Sequence, residues 1–101
     1  VLEKIKLPKQ IAPRYRTTYF NHTMGGGYTA GYYSYFWSEV LDADGYQAFK
    51  ETGNIFNQEV AEKFRNCVLT PGCIEDADVM YFNFRGATPN IEPVLKNRGL
   101  K

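Results

Sequence analysis

The sequence holds one histidine, two cysteines and one tryptophan among 101 residues. Neither a C-x-x-C nor an H-x-x-x-H spacing occurs, so the usual zinc patterns are absent and this chain alone is not expected to hold a metal. Cys67 and Cys73 lie six apart across Pro71-Gly72. Two cysteines make no disulfide framework, and they read as one thiol at a helix end and one in a loop, with a disulfide across the turn as the alternative. Charge is short of any excess: 12 basic and 11 acidic side chains leave a formal net charge of +1. With no basic stripe, nucleic acid is excluded as an expected partner. No apolar run approaches the ~20 residues of a membrane span, so no membrane partner is expected either. There is no Ser-His-Asp arrangement, and neither a phosphate-loop Gly-Lys-Ser/Thr nor a G-x-G-x-x-G pattern. The length admits one domain at most, with marginal stability by itself.

Aromatic residues, by contrast, are abundant. Seven Phe, eight Tyr and one Trp are more large rings than so short a chain can easily hide. Either an aromatic face is exposed, or these rings pack against something outside the 101 residues. Exposed rings would also favour self-association of the segment. The opening Leu2-Glu3-Lys4-Ile5-Lys6 reads as the last turns of a helix, without an initiating Met. The expectation is a piece cut from a longer polypeptide.

The local signals are mostly helical. Leu7-Pro8 and Ala12-Pro13 break the opening helix, because proline disfavours helical backbone in the residue before it. Arg14–Phe20, rich in Thr and rings, suits a short strand or an extended loop. The first firm helix is expected from Tyr28 or Thr29 to about Lys50, ended by a turn at Gly53-Asn54. Asn57 is a good N-cap for a second helix, with Val60, Phe64, Cys67 and Val68 as its apolar face. Thr70-Pro71-Gly72 stops it. A third helix from about Glu75 to Arg85 has an acidic first turn and Gly86 beyond its end. Asn90 caps a short last helix that tolerates Pro93 in its first turn and ends at Gly99. Asp42 and Asp44 read as solvated charges.

The stretch from His22 to Trp37 carries the most information. It contains the single histidine, the triple glycine Gly25–Gly27 and four tyrosines. The glycines permit positive φ and close approach of a ligand. At 100° per residue, Tyr28, Tyr32 and Tyr35 share one narrow arc, while Tyr33, Trp37, Val40 and Leu41 lie opposite as a core stripe. A phenol donates a hydrogen bond without carrying charge, which suits a developing oxyanion. On spacing alone the row can equally be packing, His22 a structural hydrogen-bonder, and the glycines a simple turn or an anion cradle.

The string His22-x-x-x-Gly26-Gly27-Tyr28-x-Ala30-Gly31-Tyr32-Tyr33-Ser34-Tyr35-x-Trp37-Ser38-Glu39-Val40-Leu41-Asp42-Ala43-Asp44 resembles the C-terminal part of the thimet-oligopeptidase family of zinc metallopeptidases. Pro13–Phe20, Phe64-Arg65, Pro71-Gly72, Glu75-Asp76, Phe84-Arg85-Gly86 and Arg98-Gly99-Leu100 extend the likeness over almost the whole chain, nearest to the bacterial peptidyl-dipeptidases. The resemblance implies a large two-lobed, almost wholly helical enzyme. Zinc there sits on an H-E-x-x-H helix, which these residues lack. It implies that Gly25, Gly26 and Gly27 form a mobile loop over the substrate channel, with His22 beside it. Tyr28 and Tyr32 would then contact peptide, and Tyr35 would hydrogen-bond the tetrahedral intermediate. Three successive glycines with Met24 depart from the shorter loop of the oligopeptidase branch.

The expected fold class is therefore mostly α: residues 1–101 as a multi-helical C-terminal part of a larger all-α peptidase. The expected function is hydrolysis of short peptides, with release of C-terminal dipeptides, by a full-length zinc enzyme. Tyr35 and His22 are the candidate catalytic residues; the glycine loop, Tyr28 and Tyr32 are the candidate substrate contacts. The upstream part of the same polypeptide is the expected partner and the cytoplasm the expected compartment, with the periplasm also open. The rival reading is a non-catalytic helical module that binds peptides through its aromatic groove.

Overall fold

A computed structural model describes residues 1–101, which form helices and turns with no strand. The chain divides into two compact units, Val1–Ser34 and Tyr35–Lys101.

In the first unit the regular pieces are short: a 3-10 helix at Thr17–Tyr19, one α-helical turn at Asn21–Met24 (α1), and a 3-10 helix at Thr29–Tyr33. Two expectations change here. Residues 2–6 form turns rather than a helix end, with Lys6 at φ 55°. Arg14–Phe20 holds the first 3-10 turn rather than a strand. The unit is held by rings instead of a ladder. Tyr15 stacks on Phe20 at 4.7 Å between centroids, and Phe20 meets the ring of Tyr32 edge-on at 4.6 Å.

The second unit contains the remaining four helices: α2 at Ser34–Glu51, which opens one residue before it, then α3 at Gln58–Phe64, α4 at Ala77–Arg85 and α5 at Glu92–Asn97. The long helix therefore starts about five residues later than its periodicity suggests. Gly31 and the row of rings around it are poor helix formers, and nucleation gains few hydrogen bonds for the residues it fixes. Asn57 caps α3 as expected, its Oδ1 accepting from Val60 N–H at 3.0 Å. Val60, Phe64, Cys67 and Val68 are all half-buried, and the last two lie on a π-helical turn at Arg65–Leu69 that continues α3. Both cysteines are free thiols. Gly86 ends α4 in the left-handed conformation, at φ 75°. The N-cap of α5 is Ile91, one residue after the expected Asn90, whose Oδ1 instead accepts from Glu92 N–H at 2.9 Å; Pro93 is buried in the first turn.

The core of this unit is small. Val40 and Ala43 of α2 meet Val94 of α5, and Met80 and Phe84 of α4 are also buried. Gly45 is buried against Phe84, whose ring meets Phe64 edge-on at 5.2 Å, and a Cβ there would make only an ordinary contact at 3.8 Å. The expected core stripe survives only at its lower end. Val40 is buried, but Tyr33 is 73% and Trp37 54% exposed.

Asp44 overturns its expected role as a solvated charge. It is 2% exposed and accepts a hydrogen bond from the Tyr81 hydroxyl of α4. Arg85 of α4 lies 3.6 Å from the same carboxylate and makes a two-pronged pair with Glu51 at 2.8 and 2.7 Å. Burial, then the Asp44 carboxylate, push the Tyr81 phenol above its ordinary value. The Arg85 hydrogen bonds hold the Glu51 carboxyl below the usual carboxylate range. A depressed carboxylate stabilises the fold above its unfolded pKa and loses that contribution as pH falls through the folded value. Glu51→Gln should therefore lower the melting temperature at pH 7, and the gap to wild type should close below about pH 4. A gap independent of pH would show that the charge pair does not contribute.

Candidate functional site

The first unit gathers most of the residues singled out from the sequence. His22 on α1 lies 5.7 Å from the ring of Tyr32 and 5.9 Å from that of Tyr28, centroid to centroid. The glycines between them form a bonded turn. The N–H groups of Gly25 and Gly26 both donate to the Asn21 carbonyl, at 2.7 and 2.6 Å, and Tyr28 N–H donates to the His22 carbonyl at 3.2 Å. Two amides that an anion cradle would need are thus occupied within the loop. Gly27, at φ 80°, makes the left-handed step that lets the chain double back. Thr29 follows at φ 47°, a strained conformation for a β-branched residue. Strain of this kind costs about 1–3 kcal/mol and collects at functional sites.

Tyr35 belongs to the second unit, in the first turn of α2, with 49% of its surface exposed. The three tyrosines therefore do not lie on one α-helix. Tyr28 precedes the 3-10 helix, Tyr32 lies within it, and Tyr35 lies beyond it. A 3-10 turn advances by about 120° per residue, so the 100° wheel does not apply across it. In this unit an open apolar hollow of about 560 Å³ is lined by Trp37 and Leu41 of α2, Val79, Tyr81 and Phe82 of α4, and Pro89.

The loop yields a graded test. A Cβ on Gly26 would come within 3.0 Å of His22 Cα and 3.2 Å of two backbone oxygens, so α1 and His22 would have to move. A Cβ on Gly25 would meet only the Asn21 side-chain oxygen, at 2.7 Å, which can swing away. Gly26→Ala should therefore displace His22 and lower the melting temperature, and Gly25→Ala should do so much less. Equal values for the two variants would contradict this placement.

The donors for a metal do not fit together. The chain has one histidine and two cysteines, and nowhere do three His, Cys, Asp or Glu side chains come within reach of a common ion. No helix is long and apolar enough to cross a membrane.

The family model of peptidase family M3 matches residues 1–100. The chain belongs to that family. It is 47% identical over 100 residues to dipeptidyl carboxypeptidase of Escherichia coli (strain K12), covering 99% of this chain and 14% of that protein. To oligopeptidase A of Salmonella typhimurium (strain LT2) it is 44% identical over 82 residues, 81% of this chain and 12% of the relative. The organellar oligopeptidase A of Arabidopsis thaliana is 43% identical over 84 residues, with 80% of this chain and 11% of the relative covered. This M3 chain thus spans about one seventh or less of these relatives' length, and its helical fold is that of a segment of a larger M3 peptidase.

The residues missed by the sequence reading are Asp44, Tyr81, Arg85 and Glu51 as a network, and Glu39 with Arg98. Asp44 had a visible signal: it lies four residues after buried Val40, on the same helix face.

Proposed function

We propose that this M3 chain is the C-terminal segment of a zinc-dependent peptidase that hydrolyses short peptides and releases dipeptides from their C-termini. The observation that carries the reading is the 47% identity, over 99% of the chain, to a dipeptidyl carboxypeptidase. The triple glycine beside Met24 adds to it. The segment supplies a substrate-facing wall. Its glycine turn, with His22 and Tyr28, positions the peptide backbone, and Tyr32 packs edge-on against the His22 ring. Tyr35 donates its phenol hydrogen bond to the oxygen of the scissile carbonyl as negative charge develops there. The zinc would be held by residues outside these 101, on the upstream part of the polypeptide.

The test uses the full-length protein and peptides with free or amidated C-termini, with products read by mass spectrometry. Stepwise loss of dipeptides from free C-termini only, stopped by a chelator, is the expected result. Internal cuts without regard to the C-terminus would refute dipeptide release. Peptide binding without any cleavage would favour a non-catalytic module.

A further inference from the structure

The first turn of α2 carries Tyr35, and a single ion pair ties that end of the helix to distant sequence. Arg98, just past α5, donates from Nε to Glu39 Oε1 at 2.9 Å and from Nη2 to Oε2. Its guanidinium also lies over the Phe36 ring, 5.8 Å from the centroid. Phe36 and Glu39 stand one and four residues after Tyr35, so Arg98 grips the helical turn that begins at Tyr35. The other two ties, Asp44 and Glu51 to Arg85, act lower on α2.

Arg98 is itself well anchored. Gly99 is left-handed at φ 67°, and Leu100 N–H donates to the Leu95 carbonyl at 2.9 Å, closing a Schellman-type turn on α5. Lys101 pairs with Glu92 at 2.6 Å across that turn. On the other side of α5, Val94 is buried against Val40 and Ala43 of α2. The fork of a guanidinium matches a carboxylate in two bonds and stacks on a ring, which a lysine cannot reproduce.

We infer that Arg98 is a positioning residue: through Glu39 and Phe36 it fixes the first turn of α2 and so aims the Tyr35 phenol at the reacting carbonyl. The inference rests on the role proposed for Tyr35. Its test is a double-mutant cycle in the full-length peptidase, with kcat and KM on a short peptide, zinc content and melting temperature recorded for each variant. Arg98→Met keeps the aliphatic stem and removes the fork. It should lower kcat about five- to tenfold and leave KM within about twofold, because only aim is lost. In the Tyr35→Phe background the same substitution should change kcat by less than about twofold, since coupled residues are not additive. Glu39→Gln should repeat the pattern, which guards against an unstable Arg98 variant. An unchanged kcat in Arg98→Met, or an equal loss in both backgrounds, would overturn the inference while leaving Tyr35 in its role. If Tyr35→Phe by itself leaves kcat intact, the role of Tyr35 fails first and the positioning of it falls with it.

Discussion

In the full-length peptidase, Tyr35→Phe should lower kcat by about 10²–10³-fold, the loss typical of one oxyanion donor. The substitution removes one hydroxyl and keeps the ring, so the packing of the first turn of α2 should persist. KM should change little, because the bond is made to charge that exists only in the transition state. With the proposed zinc site outside these residues, metal content should be unchanged, since no metal donor is lost. Tyr35 lies outside the buried core, with 49% of its surface exposed. Turnover at the wild-type rate with zinc retained would remove Tyr35 from the mechanism. A rise in KM at constant kcat would instead make it a plain binding contact.

The largest effect on stability should come from Asp44. Asp44→Ala leaves the Tyr81 hydroxyl without its acceptor and Arg85 with Glu51 alone. Arg85 Nε is already closed off from solvent without a hydrogen-bond partner, so the site has little reserve. Removing one member of a buried charged pair costs about 3–5 kcal/mol, and the partial exposure of Arg85 points to the lower end of that range. Asp44→Asn keeps an acceptor for Tyr81 and should cost about 1 kcal/mol. Asp42→Ala, two residues away and exposed, should stay within about 0.5 kcal/mol of wild type. Melting temperatures should therefore fall in the order Asp42→Ala, Asp44→Asn, Asp44→Ala, the last being lowest. If Asp44→Ala melts with Asp42→Ala, the network does not hold α4 to α2.

The helical character of the chain was legible where single residues set it. Asn57 and Gly86 act through their own side chain or their own backbone, so their effects need no knowledge of the rest of the fold. Segments without such markers were harder. The start of α2 depends on whether Gly31 and the rings around it can sustain an α-helix, and periodicity alone assumes that they can. Arg14–Phe20 has strand-like composition, but a strand needs a partner to pair with and the chain offers none. Charge alone does not place Asp44. Its place one turn after Val40 puts it on the buried face, where a carboxylate must find partners. Those partners, Tyr81 and Arg85, lie 37 and 41 residues away and no local pattern announces them.

The candidate site is legible to a similar degree. Its residue types were readable from the string around the glycines, and the cluster of His22, Tyr28 and Tyr32 follows from the tight glycine turn. The excess of rings in the composition reappears as exposed surface: Tyr33, Trp37, Phe56 and Phe82 are all more than half open. Such a surface suits a segment whose neighbours lie in the remainder of a longer M3 polypeptide. Arg98 was named in the sequence only as part of a closing motif; its grip on Glu39 crosses 59 residues.

The central claim of the proposed function is that a peptide substrate meets the glycine turn of the first unit. Photo-crosslinking tests it most directly. No lysine or arginine interrupts residues 17–49, so trypsin would release residues 17–50 as one peptide. A short peptide with a free C-terminus and a photoreactive side chain would be bound to the full-length peptidase, irradiated and digested, and the adducts mapped by mass spectrometry. The account predicts adducts on residues 17–50, lost when unlabelled peptide competes. Competed adducts that fall elsewhere, with residues 17–50 unlabelled, would contradict it.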